Sequence, residues 1–372
     1  MYPMKHTSLL LLTCLLLLAF APLRAQDDTL PDATVIPMDT RLRLRDAPSF
    51  SSNTLDGIEP GTALTLVGRT ADSNWLHIRT PDGVVGWVSA PFISVNVDLN
   101  DLSVTTNLDS LPHPLRLADN VAENVRAIFA RGQELGNRAD VFSKLGDSIT
   151  VAPHMLTPLS DTAYNLGDFQ YLEGIIERFS AEPARDEKSS FANVSMAAGI
   201  GWTTDAVLKS KFTDLEYCQL DEAALDCEYR LVKPAFALIM FGTNDVAHLS
   251  LETYTYNMGR IVKASIEQGV VPIISTIPVR VGYEEQTAKF NEGVVKVARR
   301  YSVPLWEYGA AMQPLPDHGL APDGVHPSIP PNGYKGAADF RASNLYSGYV
   351  IRNLTALQIL DAVVLAVEAE AG

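Results

Sequence analysis

The rhythm of hydrophobic and polar positions changes along this chain. From about residue 33 to 97 the period is close to two. Leu42-Arg43-Leu44-Arg45, Leu64-Thr65-Leu66-Val67 and Trp75-Leu76-His77-Ile78 read as half-buried strands. Pro60-Gly61, Asp72-Ser73-Asn74 and Pro81-Asp82-Gly83 separate them as turns. Short strands at this spacing predict a small all-β barrel. Residues 98–116 are polar, contain prolines and read as a linker. Beyond them helix and strand alternate over 117–372. Val121, Val125, Ile128 and Phe129 recur at helical spacing, and Ala139-Asp140-Val141-Phe142 runs up to Gly146. Phe236 to Phe241, Val270 to Ile277 and Val303 to Trp306 are short strand-like runs. Amphipathic helices are expected at about 250–268 and 285–301, and a final helix rich in Leu, Ile, Val and Ala at about 345–368. This pattern predicts an α/β fold, a parallel sheet flanked by helices on both faces. The site of such a sheet lies at the carboxyl ends of its strands.

Before the barrel, Lys5 and His6 precede an apolar run from Leu9 to Phe20. The run is short for a bilayer span, and small residues follow it. Residues 1–25 therefore read as a signal peptide, with cleavage after Ala25. Leu23 is bulky for its place near the cut, which keeps an uncleaved N-terminal anchor open as the alternative. Cys14 is followed by four leucines and lacks the small-residue context of a lipoprotein cysteine. No second apolar run reads as a transmembrane helix. The mature protein is expected to be secreted or extracytoplasmic, with no integral membrane span after processing. In that oxidising setting Cys218 and Cys227, an even pair, favour a disulfide over two free thiols. Two cysteines alone do not complete a zinc shell, so no metal is expected.

Composition narrows the function. The 372 residues are 47% apolar and 20% charged, enough for a sizeable core and about two domains. There are 29 basic and 44 acidic residues, a net charge of -15. Removing Lys5 and Arg24, and no acid, takes it to -17. A nucleic-acid partner is not expected, because phosphate affinity rests on Lys and Arg.

The candidate chemistry sits where the strands end. Gly146-Asp147-Ser148-Ile149-Thr150 would present Ser148 at a tight turn next to a helix N-terminus, where a nucleophile can be exposed. Gly242-Thr243-Asn244-Asp245 follows the second strand, and Asn244 can aim an amide donor at a developing oxyanion. Gly199-Ile200-Gly201-Trp202-Thr203-Thr204 opens a helix and lets a glycine N–H approach a ligand oxygen. In Pro322-Asp323-Gly324-Val325-His326-Pro327, Asp323 can fix the tautomer of His326 and leave its other nitrogen free to take a serine proton. Each motif is modest alone: the first two also read as turns, and the last as a surface loop with an incidental histidine.

Taken in order, the four motifs resemble the SGNH branch of the GDSL hydrolases, over about 136–340. The resemblance implies a flavodoxin-like three-layer fold with Ser148 as nucleophile, His326 as base and Asp323 as its orienting acid. It implies an oxyanion hole of the Ser148 N–H, the Gly201 N–H (Gly199 as fallback) and the Asn244 amide. It implies no cofactor. Residues 33–97 resemble a bacterial SH3-like domain in Leu44-Arg45-Asp46-Ala47-Pro48, Ile58-Glu59-Pro60-Gly61-Thr62, Trp75 and Gly86-Trp87-Val88. That resemblance implies cell-wall peptide binding or positioning of an attached enzyme. Trp75 and Trp87 could form a ligand face, although packing of the barrel is the reading favoured here.

Together these imply an exported serine esterase that removes O-acyl groups through an acyl-enzyme, on a small molecule or a cell-wall or other polysaccharide. The alternatives are a lipolytic esterase or lysophospholipase, and a non-catalytic wall-binding protein. The long segment at about 151–190 and the cysteine-bearing loop before the second strand are expected near the site, as a lid or a subsite wall.

Overall fold

Seven antiparallel strands form the first part of the computed structural model, which describes residues 31–45, 48, 54–70, 73–102, 115–160, 164–313 and 315–369. The signal peptide expectation, with Cys14 and Ala25, lies outside the described residues, as do Asp46, Ala47, Asp72 and most of the expected linker. The strands are β1 (Ala33–Val35), β2 (Leu42–Arg45), β3 (Thr54–Ile58), β4 (Ala63–Arg69), β5 (Trp75–Arg79), β6 (Val85–Ser89) and β7 (Ile93–Val95). They pair in the order β3-β2-β6-β5-β4-β1-β7 around one core that includes Leu44, Leu66, Leu76, Ile78 and Val88. Leu102 belongs to the same core, so barrel packing runs past residue 97 into the expected linker.

The α/β region follows as α1 (Asp119–Glu134), β8 (Arg138–Gly146), α2 (Ser148–Val151), α3 (Glu173–Ala181), β9 (Pro183–Arg185) and β10 (Lys188–Ser189). Next come α4 (Thr204–Val207), α5 (Ala224–Val232), β11 (Pro234–Met240), α6 (Asp245–His248), α7 (Leu251–Glu267) and β12 (Val271–Ser275). The last elements are α8 (Glu284–Tyr301), β13 (Leu305–Trp306), α9 (Tyr308–Met312), α10 (Gly333–Gly336) and α11 (Gly348–Glu368). The sheet order is β13-β12-β11-β8, all parallel, and Ala198 bridges Gly146 on the far side of β8. The chain thus leaves β8 in one direction and returns on the other, which opens a crevice at the strand ends. All seven residues of β11 are buried, as expected of a strand covered on both faces.

The segment expected as a lid is instead largely core. Leu156, Leu159, Phe169, Leu172, Ile175, Ile176 and Phe179 are buried, and Phe179 packs edge-on against Phe142 of β8. Their apolar surface covers the sheet, where burial stabilises more than any loop role would. The expectation about transmembrane length also needs correction. α11 spans 21 residues, and an 18-residue stretch of it has mean hydropathy 1.7, long and apolar enough to cross a membrane, but 78% of that stretch is buried in the fold. It packs against α1, α3 and α9, which is why apolar residues surround it.

Pro31–Gly372 forms one compact unit, and the barrel is docked onto the α/β region. Strand β6 is buried at every position, which the interior of a barrel this small does not require. The second face of β5 and β6 is covered from outside. Val67 and Val85 pack with Val295 of α8 and Ala310 of α9. Arg79 lies 3.5 Å from Glu307, and Asp32 pairs with Arg299 at 2.7 Å. His77 stacks on Trp87 at 4.5 Å on this same side, and burial pushes its imidazole down to about 3, with Arg79 adding to the effect. Trp87 is 2% exposed. Its burial on the side turned to the α/β region removes it from any ligand face.

Candidate active site

Strand β8 delivers Ser148 to the crevice at the first turn of α2. Asp147 caps that helix, its Oδ1 accepting from the Ile149 N–H at 3.0 Å. Ser148 Oγ lies 2.9 Å from His326 Nε2, and His326 Nδ1 lies 2.7 Å from Asp323 Oδ2. Asp323 Oδ1 accepts from the backbone N–H groups of Val325 and His326, both at 3.0 Å. Partial burial works against ionisation of Asp323. The hydrogen bonds from the His326 ring and from the two backbone N–H groups outweigh it and hold the carboxyl below its ordinary range. The carboxylate is therefore an anion fixed by its own loop.

That loop is pinned from several sides. Gly324 takes a left-handed φ of +68°, and a Cβ there would strike Val281, whose N–H donates to the Gly324 carbonyl at 3.0 Å. Ser328 anchors the far end, accepting from the backbone N–H of Gly348 with its side chain and of Tyr349 with its carbonyl. His326 is thus tied to the N-terminus of α11.

Gly201 and Asn244, expected as oxyanion donors beside the Ser148 N–H, sit on two loops that are tied to each other through Asn244 and Trp202. Gly201 has φ +74°, and no partner for its N–H occurs among the described residues. The Gly199 N–H is already bonded to the Gly146 carbonyl at 3.1 Å, which removes the fallback. Asn244 donates one amide hydrogen to the Trp202 carbonyl at 3.0 Å, so its second is oriented and available. Beneath these loops Asp245 accepts from Thr204 N at 2.8 Å and Thr204 Oγ1 at 2.6 Å, which binds the Asn244 loop to the glycine loop. Burial raises the Asp245 carboxyl, while the Thr204 bonds oppose the shift.

Cys218 and Cys227 form the expected disulfide, with Cα atoms 5.4 Å apart. Their loop approaches the glycine loop through Phe212, whose ring lies 6.0 Å from that of Trp202. Of the 151–190 segment, His154 comes near the crevice, 5.2 Å from Tyr349.

Residues 145–334 match the profile of the GDSL-like Lipase/Acylhydrolase family. The chain belongs to that family. This GDSL-like hydrolase acts on ester bonds, and its residues 40–94 match the Bacterial SH3 domain profile. Solved structures similar to it include a GDSL-like lipase from Bacteroides thetaiotaomicron VPI-5482, at 15% identity over 64% of this chain and 98% of that one, TM-score 0.38. A lipase/acylhydrolase from Enterococcus faecalis is 17% identical over 58% and 95%, TM-score 0.36. An acetylxylan esterase from Geobacillus stearothermophilus is 17% identical over 59% and 93%, TM-score 0.36. No curated protein matches the chain.

Sequence reasoning missed the roles of Asp147, Thr204 and Asp245 inside its own motifs. Their side chains act across the fold, and a motif read as a turn does not show that. It also missed Arg352, although a lone arginine in the apolar stretch of the final helix was a visible signal.

Proposed function

We propose that this hydrolase is an exported serine esterase that cleaves O-acyl esters through a Ser148–His326–Asp323 triad. The observation that carries the reading is the continuous hydrogen-bonded chain from Ser148 Oγ to His326 Nε2 and from His326 Nδ1 to Asp323. His326 takes the Ser148 proton as the hydroxyl attacks the ester carbonyl. The Ser148 and Gly201 N–H groups and the Asn244 amide receive the oxyanion. His326 then protonates the leaving alcohol, and water attacks the acyl-serine with the imidazole again as base. Each step uses this chain's own groups.

The terminal pattern of residues 1–25 and the disulfide support export. A bacterial SH3 module supports a wall-associated substrate, an O-acylated polysaccharide, with a barrel from residue 33 whose packing reaches Leu102, a connector from there to 116, and 117–372 as the hydrolase domain. One observation favours a lipolytic second reading. Ile200, Val281 and Ile329 are 82%, 61% and 53% exposed; Ile200 precedes Gly201, Val281 packs against Gly324, and Ile329 follows His326 by three residues. Such an apolar rim suits an acyl chain.

Turnover of p-nitrophenyl acetate, with Ser148→Ala, tests the mechanism. The variant should keep the fold and lose ester hydrolysis, and full activity would remove Ser148 as nucleophile. Acetate release from acetylated xylan or peptidoglycan, set against fatty-acid release from lysolipid, decides the substrate class.

A further inference from the structure

Arg352 of α11 is 1% exposed and lies beneath the catalytic crevice. Its guanidinium packs against the neighbouring rings of Trp306 and Tyr308, each centroid 5.0 Å away. Nη2 donates to Thr150 Oγ1 at 3.1 Å, while Nε and Nη1 point at the sulfurs of Met155 and Met240. No carboxylate is bonded to it among the described residues. A cation held by two rings, two thioethers and a hydroxyl is an expensive way to fill a core, since each of those partners is neutral. The carboxylate whose field it shares is Asp147, fully buried, with Oδ1 on the Ile149 N–H and Oδ2 without a hydrogen-bond partner. Thr150 and Asp147 flank Ser148 on the same short turn. Thr150 Oγ1 also packs where a Cβ on Gly146 would stand, so this hydroxyl fixes how the turn leaves β8.

We propose that Arg352 is a positioning residue for the nucleophile, locking the turn that carries Ser148 from beneath through Thr150 and Asp147. Arg352 lies outside the matched residues 145–334, on a helix that the motifs do not reach. The role also explains why the charge persists in α11: an apolar residue of equal size would fill the space but hold neither neighbour of Ser148. Burial pushes the Asp147 carboxyl up to about 6, with Asp245 adding. The Ile149 N–H, Arg352 and His326 oppose that rise, and Tyr254, Tyr308 and Tyr349 complete the ionisable surroundings.

The inference rests on Ser148 being the nucleophile, and fluorophosphonate labelling keeps the two readings apart. Arg352→Met, Arg352→Lys, Thr150→Val and, as a control for lost packing alone, Leu354→Ala are compared with the unchanged protein on p-nitrophenyl acetate. A small displacement of a reacting group costs on the order of 100-fold. Arg352→Met should therefore lose about 100-fold in kcat with little change in KM, and label more slowly by the same factor. Arg352→Lys should recover part of that loss, and Thr150→Val should lose about tenfold. The acid limb of the pH profile should move to higher pH in Arg352→Met, because Asp147 loses a cation that opposed its rise. Leu354→Ala should lower stability and leave kcat and the acid limb in place. A folded Arg352→Met with unchanged kcat and labelling rate overturns the proposal. Should that variant not fold, an unchanged kcat in Thr150→Val overturns it. Absence of label on Ser148 in the unchanged protein would instead overturn the nucleophile assignment.

Discussion

Replacing Glu307 by glutamine should strengthen the fold at pH 8, although Glu307 belongs to an ion pair. The Arg79–Glu307 contact is long, 3.5 Å, and neither Glu307 oxygen nor either terminal Arg79 nitrogen has a hydrogen-bond partner among the described residues. A buried pair without supporting hydrogen bonds does not recover the cost of leaving water. Burial accordingly pushes the Glu307 carboxyl up to about 7, with Arg79 and Arg299 opposing the rise only in part. An acid that ionises near 4.5 in the open chain and near 7 in the fold adds stability that is complete below the lower value. That stability is lost as pH rises through the upper one. The difference corresponds to about 3 kcal/mol, and the 17% of the side chain open to water reduces it to about 2–3 kcal/mol. Glutamine mimics the neutral acid at every pH. Glu307→Gln should therefore match the unchanged protein at pH 4.5 and exceed it by roughly 2 kcal/mol at pH 8. Urea unfolding followed by tryptophan fluorescence measures both, and taking the difference between the proteins cancels the other buried acids. If the contact were a stabilising salt bridge, the variant would instead be weaker at pH 8 by about 3–5 kcal/mol. A loss of that size would refute the reasoning.

Two further outcomes test the site and its support. Asn244→Ala should lower kcat by about 100- to 1,000-fold with near-native circular dichroism, since it removes one oxyanion donor and leaves the triad intact. A kcat within a few-fold of the unchanged protein would take Asn244 out of the oxyanion hole. Joint replacement of Cys218 and Cys227 by serine should cost about 2–3 kcal/mol in chemical unfolding, through the loop that the disulfide closes. Adding reductant should lower the stability of the parent toward that of the variant and leave the variant unchanged.

The sheet and its helices were legible because β11 and β12 are short unbroken apolar runs and α7 and α8 carry helical periodicity, and their ends fell within a residue or two of expectation. The contact between Asp323 and His326 was legible because the two are three residues apart on one loop, and their side chains meet at 2.7 Å. What stayed hidden depends on distance in sequence. Arg352 meets Thr150 across more than half the chain, and Asp245 meets Thr204 between two motifs that each read as a turn. The 151–190 segment misled for a related reason. Its apolar residues are interrupted by turns and show no sustained period, yet they cover one face of the sheet. The ends of α11 were read closely, but its membrane-spanning hydropathy was easy to undervalue, because Arg352, Asn353 and Gln358 interrupt a helix that is otherwise largely apolar.

The barrel shows how a correct fold expectation can still misplace a function. From sequence, Trp75 and Trp87 read as packing of the barrel, with a ligand face as the alternative. For Trp87 the structure offers a third outcome. It lies on the outer surface of β6, in register with His77, on the side where Arg79 and Val85 meet α8 and α9. A His–Trp stack with a neutral imidazole and a buried arginine beside it is a poor surface for a charged wall peptide, because binding there would require undocking the barrel. Undocking would expose Val67, Val85, Val295 and Ala310 and leave Arg299 without its Asp32 partner. Each of those apolar side chains contributes of order 1 kcal/mol or more when buried. The barrel is therefore held as a fixed part of the enzyme, and any recognition it performs must avoid the docked face of β5 and β6 that carries His77, Arg79, Val85 and Trp87. It follows that ligand binding by the barrel, where it occurs, would orient the whole catalytic crevice with it rather than tether it through a free linker.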